Sequence, residues 1–519
     1  MNPLDLLFIH VPKFSNYYKP FGEYMTVNLI PMGTFGLADL LHREGYRTEI
    51  LHLGLEWIER RSFSPLPFLK DKRAEAVALP LHFHSQAYEV IRVAGELKQD
   101  RPETFVLLGG YTASYFHQEI LAHFPQVDAV IRGDAELPLL QLLKARKERR
   151  GFEEIPNLTY REGGKIRVNP LTYVASEKDL DRLSFTNLSL LHDRQTYLRY
   201  MGLPFVWAKK LTKEENRRRF HLGYSVFPLN IGRGCPGNCT WCGGGGLAQQ
   251  LVNGRRGVSF RSPESVAQSV AEALEMGYEM VHIAFDPGPE GERYYRELFP
   301  ILRDRNLRTR VYFEAFSLPS ENFLEDFGRT FVLEGSTLAL SPESGVERIR
   351  NRNKTFSYSN DALMRTISAA ERLGIRVDLF FSLGIPGERY EDLAATASLR
   401  REIKRRFKRV GRIWSGPISL EPASPWHLHP EAFGIVSTRR TFLDFYEASS
   451  PEGGGLGYFI PDYRTGGNDL DEKGFGKLLG EAKCRDFCSL HPDPTRASHP
   501  FWGRLFCRYL SWRMKGRDG

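Results

Sequence analysis

The residues whose types and spacing could do chemistry are Cys235, Cys239 and Cys242, a Cys-x3-Cys-x2-Cys array followed at once by glycines at 243–246. Three thiolates can hold three irons of a cubane and leave the fourth open to a substrate or cosubstrate, whereas most Fe–S clusters take four cysteines. A structural zinc ion would want a fourth ligand nearby. A zinc knuckle or packed thiols is therefore the competing reading of the same three residues. The glycines permit backbone conformations and close approaches that side chains forbid, which suits a loop wrapped around a cofactor. Trp241, between the second and third cysteines, adds an aromatic face.

Elements must position that loop. The apolar-rich run 224–231, ending at Gly232, reads as a strand leading into it. Beyond the array the pattern predicts a helix over 263–276, a strand over 280–285, a helix over 294–304 and a strand over 310–316. Further strands are expected over 337–340 and 377–383. Repeated strand-then-helix units of this length argue for a barrel or partial barrel, with its active site at the carboxyl ends of the strands. Asp286, Glu314, Glu343, Ser344 and Gly384 fall there. Upstream, apolar runs at 6–11, 47–53, 76–81, 104–108 and 129–131 alternate with helical stretches at 36–44, 88–98 and 118–124. This alternation predicts a doubly wound parallel sheet. Ligands of such sheets bind beyond the carboxyl ends of the strands, where the chain offers Ser85, Gly109, Gly110 and Gly133.

The chain has 519 residues, enough for about three domains. With 41% apolar and 26% charged residues it is ordinary for a soluble globular protein. No apolar run reaches the roughly 18 residues of a spanning helix, so no membrane segment is expected. The first ten residues lack the basic start and cleavage site of a secretory signal, and a cytoplasmic location is expected. Six cysteines are too few for a disulfide framework in so long a chain. The formal charge of +8 comes partly from local runs at 144–150, 217–219 and 400–412. Those runs read as solvated helix faces, and a nucleic-acid partner is not expected.

The cysteine spacing resembles that of the radical S-adenosylmethionine (SAM) superfamily. Two later turns strengthen the resemblance: Ser341-Pro342-Glu343-Ser344-Gly345, similar to the Glu-Ser-Gly turn of the family's fourth strand, and Gly384-Ile385-Pro386-Gly387-Glu388, similar to the Gly-x-Pro-Gly-Glu turn of the fifth. The N-terminal turns resemble the cobalamin-binding domain that precedes the barrel in one large class of these enzymes. The matching pieces are Pro31 and Gly33 before the first helix, the Gly109-Gly110-Tyr111-Thr112-Ala113 turn, and the segment 128–136, which contains Gly133 and Glu136. The Asp-x-His-x-x-Gly loop that supplies an axial histidine to cobalt in many cobalamin proteins is missing, so any cobalamin is expected without histidine ligation. His52, His82 and His84 lie near strand ends and receive no ligand role.

The resemblance implies a [4Fe-4S] cluster on the three cysteines, SAM chelated by the open iron, and cobalamin in the first domain. Glu343 and Ser344 are implied to contact the polar part of SAM, and the Gly384 turn to lie near its adenosyl group. A helix-capping role is the alternative for Glu343. Where relatives carry a glycine-rich turn after the second strand, this chain has Asp286-Pro287-Gly288-Pro289. The cofactor-binding set is thus Pro31, Gly33, Ser85, Gly109, Gly110, Gly133, Glu136, Trp241, Asp286, Glu343, Ser344 and Gly384, with no catalytic residue assigned. The expected organisation is α/β. A Rossmann-like cobalamin-binding domain spans 1–145 and a linker 146–220, whose part 179–191 resembles the family's bridge. A partial TIM-type barrel spans 221–425 and a small α-rich, substrate-covering domain 426–519. Cys484, Cys488 and Cys507 read as packed thiols, the alternatives being a second metal site on Cys484 and Cys488 with Cys507 or His491, and a redox or substrate-contacting cysteine.

The expected activity is cleavage of SAM to a 5′-deoxyadenosyl radical that attacks an unactivated carbon, ending in cobalamin-dependent C-methylation. A radical rearrangement or cyclisation uses the same cofactors, and a cobalamin or cluster carrier or sensor without turnover is the reading of another class. Expected partners are a small-molecule or peptide substrate and a reducing donor such as flavodoxin or ferredoxin.

Overall fold

The structure, a computed structural model, describes residues 3–12, 32–59, 72–200, 224–286, 288–437 and 439–451, with Leu69, Glu214 and 464–465. Pro31, the basic run 217–219 and Cys484, Cys488 and Cys507 lie outside the described residues, as does nearly all of 452–519.

Two sheets organise the chain. The first contains β1 (Leu4–His10), β2 (Thr48–His52), β3 (Ala74–Pro80), β4 (Phe105–Gly109), β5 (Ala129–Ile131), β6 (Leu158–Glu162) and β7 (Lys165–Val168), in the order β2-β1-β3-β4-β5-β6-β7. Pairing is parallel from β2 to β5. β1 is buried continuously from Leu6 to His10, as expected of a parallel strand covered by helices on both faces. Helices Met32–Arg43, Ala87–Asp100 and Glu136–Lys147 supply that cover.

β6 and β7 add an antiparallel hairpin to this sheet, so part of the expected linker belongs to the first domain. The rest of that span is not a loose connection either. Ala175, Leu180, Leu183, Phe185, Leu188 and Leu191 are buried, and they join a core shared with both sheets. A Cβ at Gly36 would lie 2.9 Å from the Phe185 ring, which shows how closely the bridge packs on the first helix. The polar character of the segment hid this, because its apolar residues follow neither a helical nor a strand period.

Short strands lead into the second sheet: β8 (Val226–Pro228), β9 (Gly232–Arg233) and β10 (Ser259–Phe260). It continues with β11 (Met280–Ile283), β12 (Arg310–Ala315), β13 (Thr337–Glu343), β14 (Val377–Leu383) and β15 (Val410–Pro417), in the order β15-β14-β13-β12-β11-β8, all parallel. On β12, Val311, Phe313 and Ala315 are buried while Arg310, Tyr312 and Glu314 are half-buried, the two faces alternating as a strand requires. Helices Pro263–Glu275, Pro289–Asp304 and Asn360–Arg372 connect the strands. The basic run 400–412 divides between helix Tyr390–Arg406 and the start of β15, a strand the apolar pattern did not announce.

The described part of the C-terminal region does not form a separate unit. Helix Phe442–Ser449 places Phe442 and Phe445 in the core of the first domain, against Phe116 and Phe124. Two guanidiniums tie the domains together. Arg233 on β9 reaches Asp134 Oδ1 at 2.6 Å and Glu136 Oε1 at 2.5 Å, and Arg255 reaches Asp134 Oδ2 at 2.5 Å.

Candidate cofactor site

The cysteine loop leaves β9 and folds back through its glycines into helix Gly246–Asn253. A Cβ at Gly243 would sit 2.7 Å from the Pro422 carbonyl oxygen, and one at Gly245 2.9 Å from that of Gly237, so these positions exclude side chains. Each thiol accepts a backbone N–H: Gly237 N to Cys235 Sγ at 3.3 Å, Gly244 N to Cys242 Sγ at 3.3 Å and Thr355 N to Cys239 Sγ at 3.4 Å. Donors aimed at sulfur are what a thiolate-bound cluster uses to tune its potential. Among the described residues, no three His, Cys, Asp or Glu side chains gather on a point that could hold one ion. Burial pushes the Cys242 thiol up to about 12, with Cys239 and Cys235 adding to the effect and Gly244 opposing it. The sulfur therefore needs a metal to become a thiolate.

Around the thiols stand groups from the neighbouring strand ends. Glu343, at a register shift in β13, has φ of 61°, a strained value for a residue with a side chain. Its carboxylate accepts from Ser382 Oγ rather than capping the next helix, and burial raises its pKa against the pull of Lys354. Lys354 is itself buried; its ammonium donates to the Ser341 carbonyl oxygen and is flanked by Glu343, Cys239 and Asp286. It is a cation beside the thiols that sequence reasoning missed, as it missed the Thr355 N–H.

Asp286 ends the β11 turn, and its Oδ2 accepts from Phe316 N, Ser317 N and Ser317 Oγ at 2.8, 3.0 and 2.9 Å. It shapes the turn after β12. Ser344 is fully buried, its hydroxyl 3.3 Å from Glu388 Oε1. Glu388 Oε2 accepts from Gly384 N and Ile385 N at 2.9 and 3.1 Å, so this carboxyl latches the β13 turn to the β14 turn. Gly384 has φ of 77°. Trp241 is half-buried and packs edge-on against Trp426.

The other half of the site is the carboxyl edge of the first sheet. Gly110 has φ of 94°, and a Cβ there would meet the Leu81 carbonyl at 2.9 Å. That turn carries Tyr111, whose buried hydroxyl finds no partner among the described residues and whose surroundings include Cys242 and Glu421. Glu421 follows β15 and approaches His84 Nε2 at 3.6 Å. His82 and Phe83 are exposed. Ser85 is half-buried in the turn after β3, and Gly33, in the first turn of its helix, has open space where a Cβ would project. Gly133 donates its N–H to Ser114 Oγ at 3.0 Å, and Glu136 engages Arg233, so the Asp134–Glu136 segment clamps the domains. The sheet order β2-β1-β3-β4-β5 puts a topological switch point between β1 and β3, where such sheets bind ligands.

The profile of the Radical SAM superfamily matches residues 229–399, the span that holds the cysteine loop and the strand ends around it. The chain belongs to this superfamily. The profile of the B12 binding domain matches residues 21–143, the first sheet and its helices, so this is a radical SAM enzyme of the cobalamin-binding kind. Its cofactors are a [4Fe-4S] cluster, SAM and cobalamin. The cytidylyl-2-hydroxyethylphosphonate methyltransferase of Streptomyces wedmorensis is 23% identical over 70% of this chain and 72% of that protein. An uncharacterised protein of Methanocaldococcus jannaschii is 28% identical over 41% of this chain, and hopanoid C-3 methylase of Methylococcus capsulatus 26% over 42%. The chain spans only 45% and 36% of the length of those two relatives. The radical SAM methyltransferase TsrM from Kitasatospora setae, solved with cobalamin and a [4Fe-4S] cluster, has the same fold: TM-score 0.64, 14% identity, 95% of this chain and 90% of that one. The radical enzyme OxsB with bound aqua-cobalamin and SAM aligns at 0.56 with 13% identity, over 93% of this chain and 66% of that one. Among the described residues no helix is long and apolar enough to cross a membrane.

Proposed function

We propose that this radical SAM enzyme transfers a methyl group to an unactivated carbon of a small-molecule or peptide substrate, with reducing equivalents from a flavodoxin- or ferredoxin-type donor. The observation that carries the reading is the meeting of two cofactor edges. Tyr111, on the Gly109-Gly110 turn of the first sheet, packs against Ala248 and Val252 of the helix that follows the thiol loop and lies within electrostatic reach of Cys242. A methyl carrier and a radical source would thus face the same substrate. The methyltransferases among the relatives agree with it.

When bound, the cluster and SAM supply the 5′-deoxyadenosyl radical and the corrin supplies the methyl group. The chain's own contribution is placement. Cys235, Cys239 and Cys242 hold the cluster, with the N–H groups of Gly237, Thr355 and Gly244 fixing each sulfur. Lys354 balances negative charge beside Cys239 and Glu343. Glu343 and the Gly384 turn, latched by Glu388, form the wall on which SAM would lie, and Trp241 packed on Trp426 closes one side against water. Gly33, Ser85, Gly109 and Gly110 form the corrin edge.

The test is product analysis under anaerobic reduction with SAM carrying a deuterated methyl group. The reading expects 5′-deoxyadenosine, S-adenosylhomocysteine and a labelled methyl group on substrate carbon. Deoxyadenosine with an isomerised or cyclised, unlabelled product would assign the chain to radical rearrangement, and no SAM cleavage by a fully reconstituted protein would make it a carrier or sensor.

A further inference from the structure

Four histidines crowd the carboxyl edge of the first sheet: His10 and His52 end β1 and β2, and His82 and His84 follow β3. Three of them are packed. His10 and His52 are 0% and 1% exposed, with ring centroids 4.5 Å apart in an edge-on pair. His84 is 6% exposed, lies against Phe445 and approaches Glu421. His82 is the exposed one, and Glu421, which follows β15, is the charged group that faces it. Among the described residues, nothing hydrogen-bonds its imidazole nitrogens.

Its backbone, by contrast, is fixed. Thr112 Oγ1 and Thr112 N donate to the His82 carbonyl oxygen at 2.9 and 3.4 Å, and Ala113 N donates to that of Leu81 at 3.2 Å. The Gly110 turn presses so close that a Cβ there would lie 3.0 Å from His82 N. Two aromatic rings stand edge-on to the imidazole, Phe83 at 4.8 Å and Tyr111 at 6.3 Å between centroids. A ring anchored at its backbone, flanked by apolar faces and left with free nitrogens is built to meet something other than protein. It projects from the first turn after β3, beside the switch point between β1 and β3 where a ligand of this sheet sits. Imidazole nitrogen is among the commonest metal ligands in proteins.

We propose that the His82 imidazole is the protein's axial ligand to the cobalt of a corrin held over the carboxyl ends of β1 and β3. The inference rests on the cobalamin reading above. It reverses the expectation of a histidine-free corrin, and with it the reading that gave His82 no ligand role: the loop after the first strand carries no ligand motif, and this ligand comes from the loop after the third.

The test is electron paramagnetic resonance of the full-length protein loaded with cob(II)alamin. One axial nitrogen-14 splits each cobalt hyperfine line into a triplet, and protein labelled with nitrogen-15 histidine should turn that triplet into a doublet. The label separates a protein ligand from the corrin's own base and needs no variant. His82→Phe, which keeps an aromatic ring in place, should retain corrin and lose the nitrogen splitting. Bound corrin with no nitrogen splitting, with a triplet indifferent to the label, or with splitting that survives His82→Phe overturns the axial assignment while leaving cobalamin binding intact. A protein that takes up no corrin overturns the cobalamin reading and this inference with it.

Discussion

Glu388 offers a prediction in which sign and size both follow from the structure. Its carboxyl is fully buried between the turns after β13 and β14, and burial pushes its pKa up to about 8 although Ile385 N, Gly384 N and Ser344 Oγ pull it down. In the unfolded chain the same group titrates near 4.5. Between those values the folded protein holds a proton that the unfolded chain has released, so stability must fall as pH rises. The separation is about 3.5 pH units, and at about 1.4 kcal/mol per unit the window is worth about 5 kcal/mol. Glu388→Gln keeps the shape, can still accept from the two backbone N–H groups and cannot ionise. Urea unfolding of both proteins at pH 5, 7 and 9 isolates the effect, because Asp286, Glu343 and every other titrating group cancel in the comparison. The wild type should lose stability relative to Glu388→Gln on going from pH 5 to pH 8, with the difference flat above that. Parallel pH profiles for the two proteins would refute the reasoning.

Other outcomes follow from the same geometry. Arg233→Ala leaves the buried Asp134 and Glu136 carboxylates short of a partner and should destabilise the domain junction by about 3–5 kcal/mol, read as a lower urea midpoint. Gly110→Ala forces a left-handed conformation and a 2.9 Å contact with the Leu81 carbonyl, so it should cost about 1–3 kcal/mol and weaken corrin uptake measured by absorbance titration. Lys354→Met removes the cation flanked by Cys239 and Glu343. The reduction midpoint of the reconstituted cluster should become more negative while iron content is retained, and an unchanged midpoint would remove Lys354 from the site.

Much of this architecture was legible in the chain because each sheet is built from short apolar strands. β5 and β14 match their expected bounds to the residue. The thiol loop was legible because its chemistry depends on three like residues in close spacing. What escaped notice acts from a distance in sequence. Lys354 and Thr355 reach the thiols from a segment more than a hundred residues beyond Cys239, and no local pattern ties them to it. Glu388 stood in the quoted Gly-Ile-Pro-Gly-Glu turn, but only the structure shows its carboxyl bonded back to the N–H groups of Gly384 and Ile385. Asp134 and Glu136 lay in a segment read as a cofactor turn, and their engagement by Arg233 and Arg255 depends on the docking of two domains. The helix at Phe442–Ser449 carries ordinary amphipathic spacing, which cannot say which core it enters.

The central claim is that the chain holds a three-cysteine cluster and a corrin together. The most direct measurement is the iron, sulfide, zinc and corrin content of anaerobically reconstituted protein, set beside Cys239→Ala. The account predicts about four irons with matching sulfide and one corrin per wild-type chain, and in Cys239→Ala the loss of most iron with corrin retained. Zinc in place of iron, or a variant that keeps its full iron content, would contradict it.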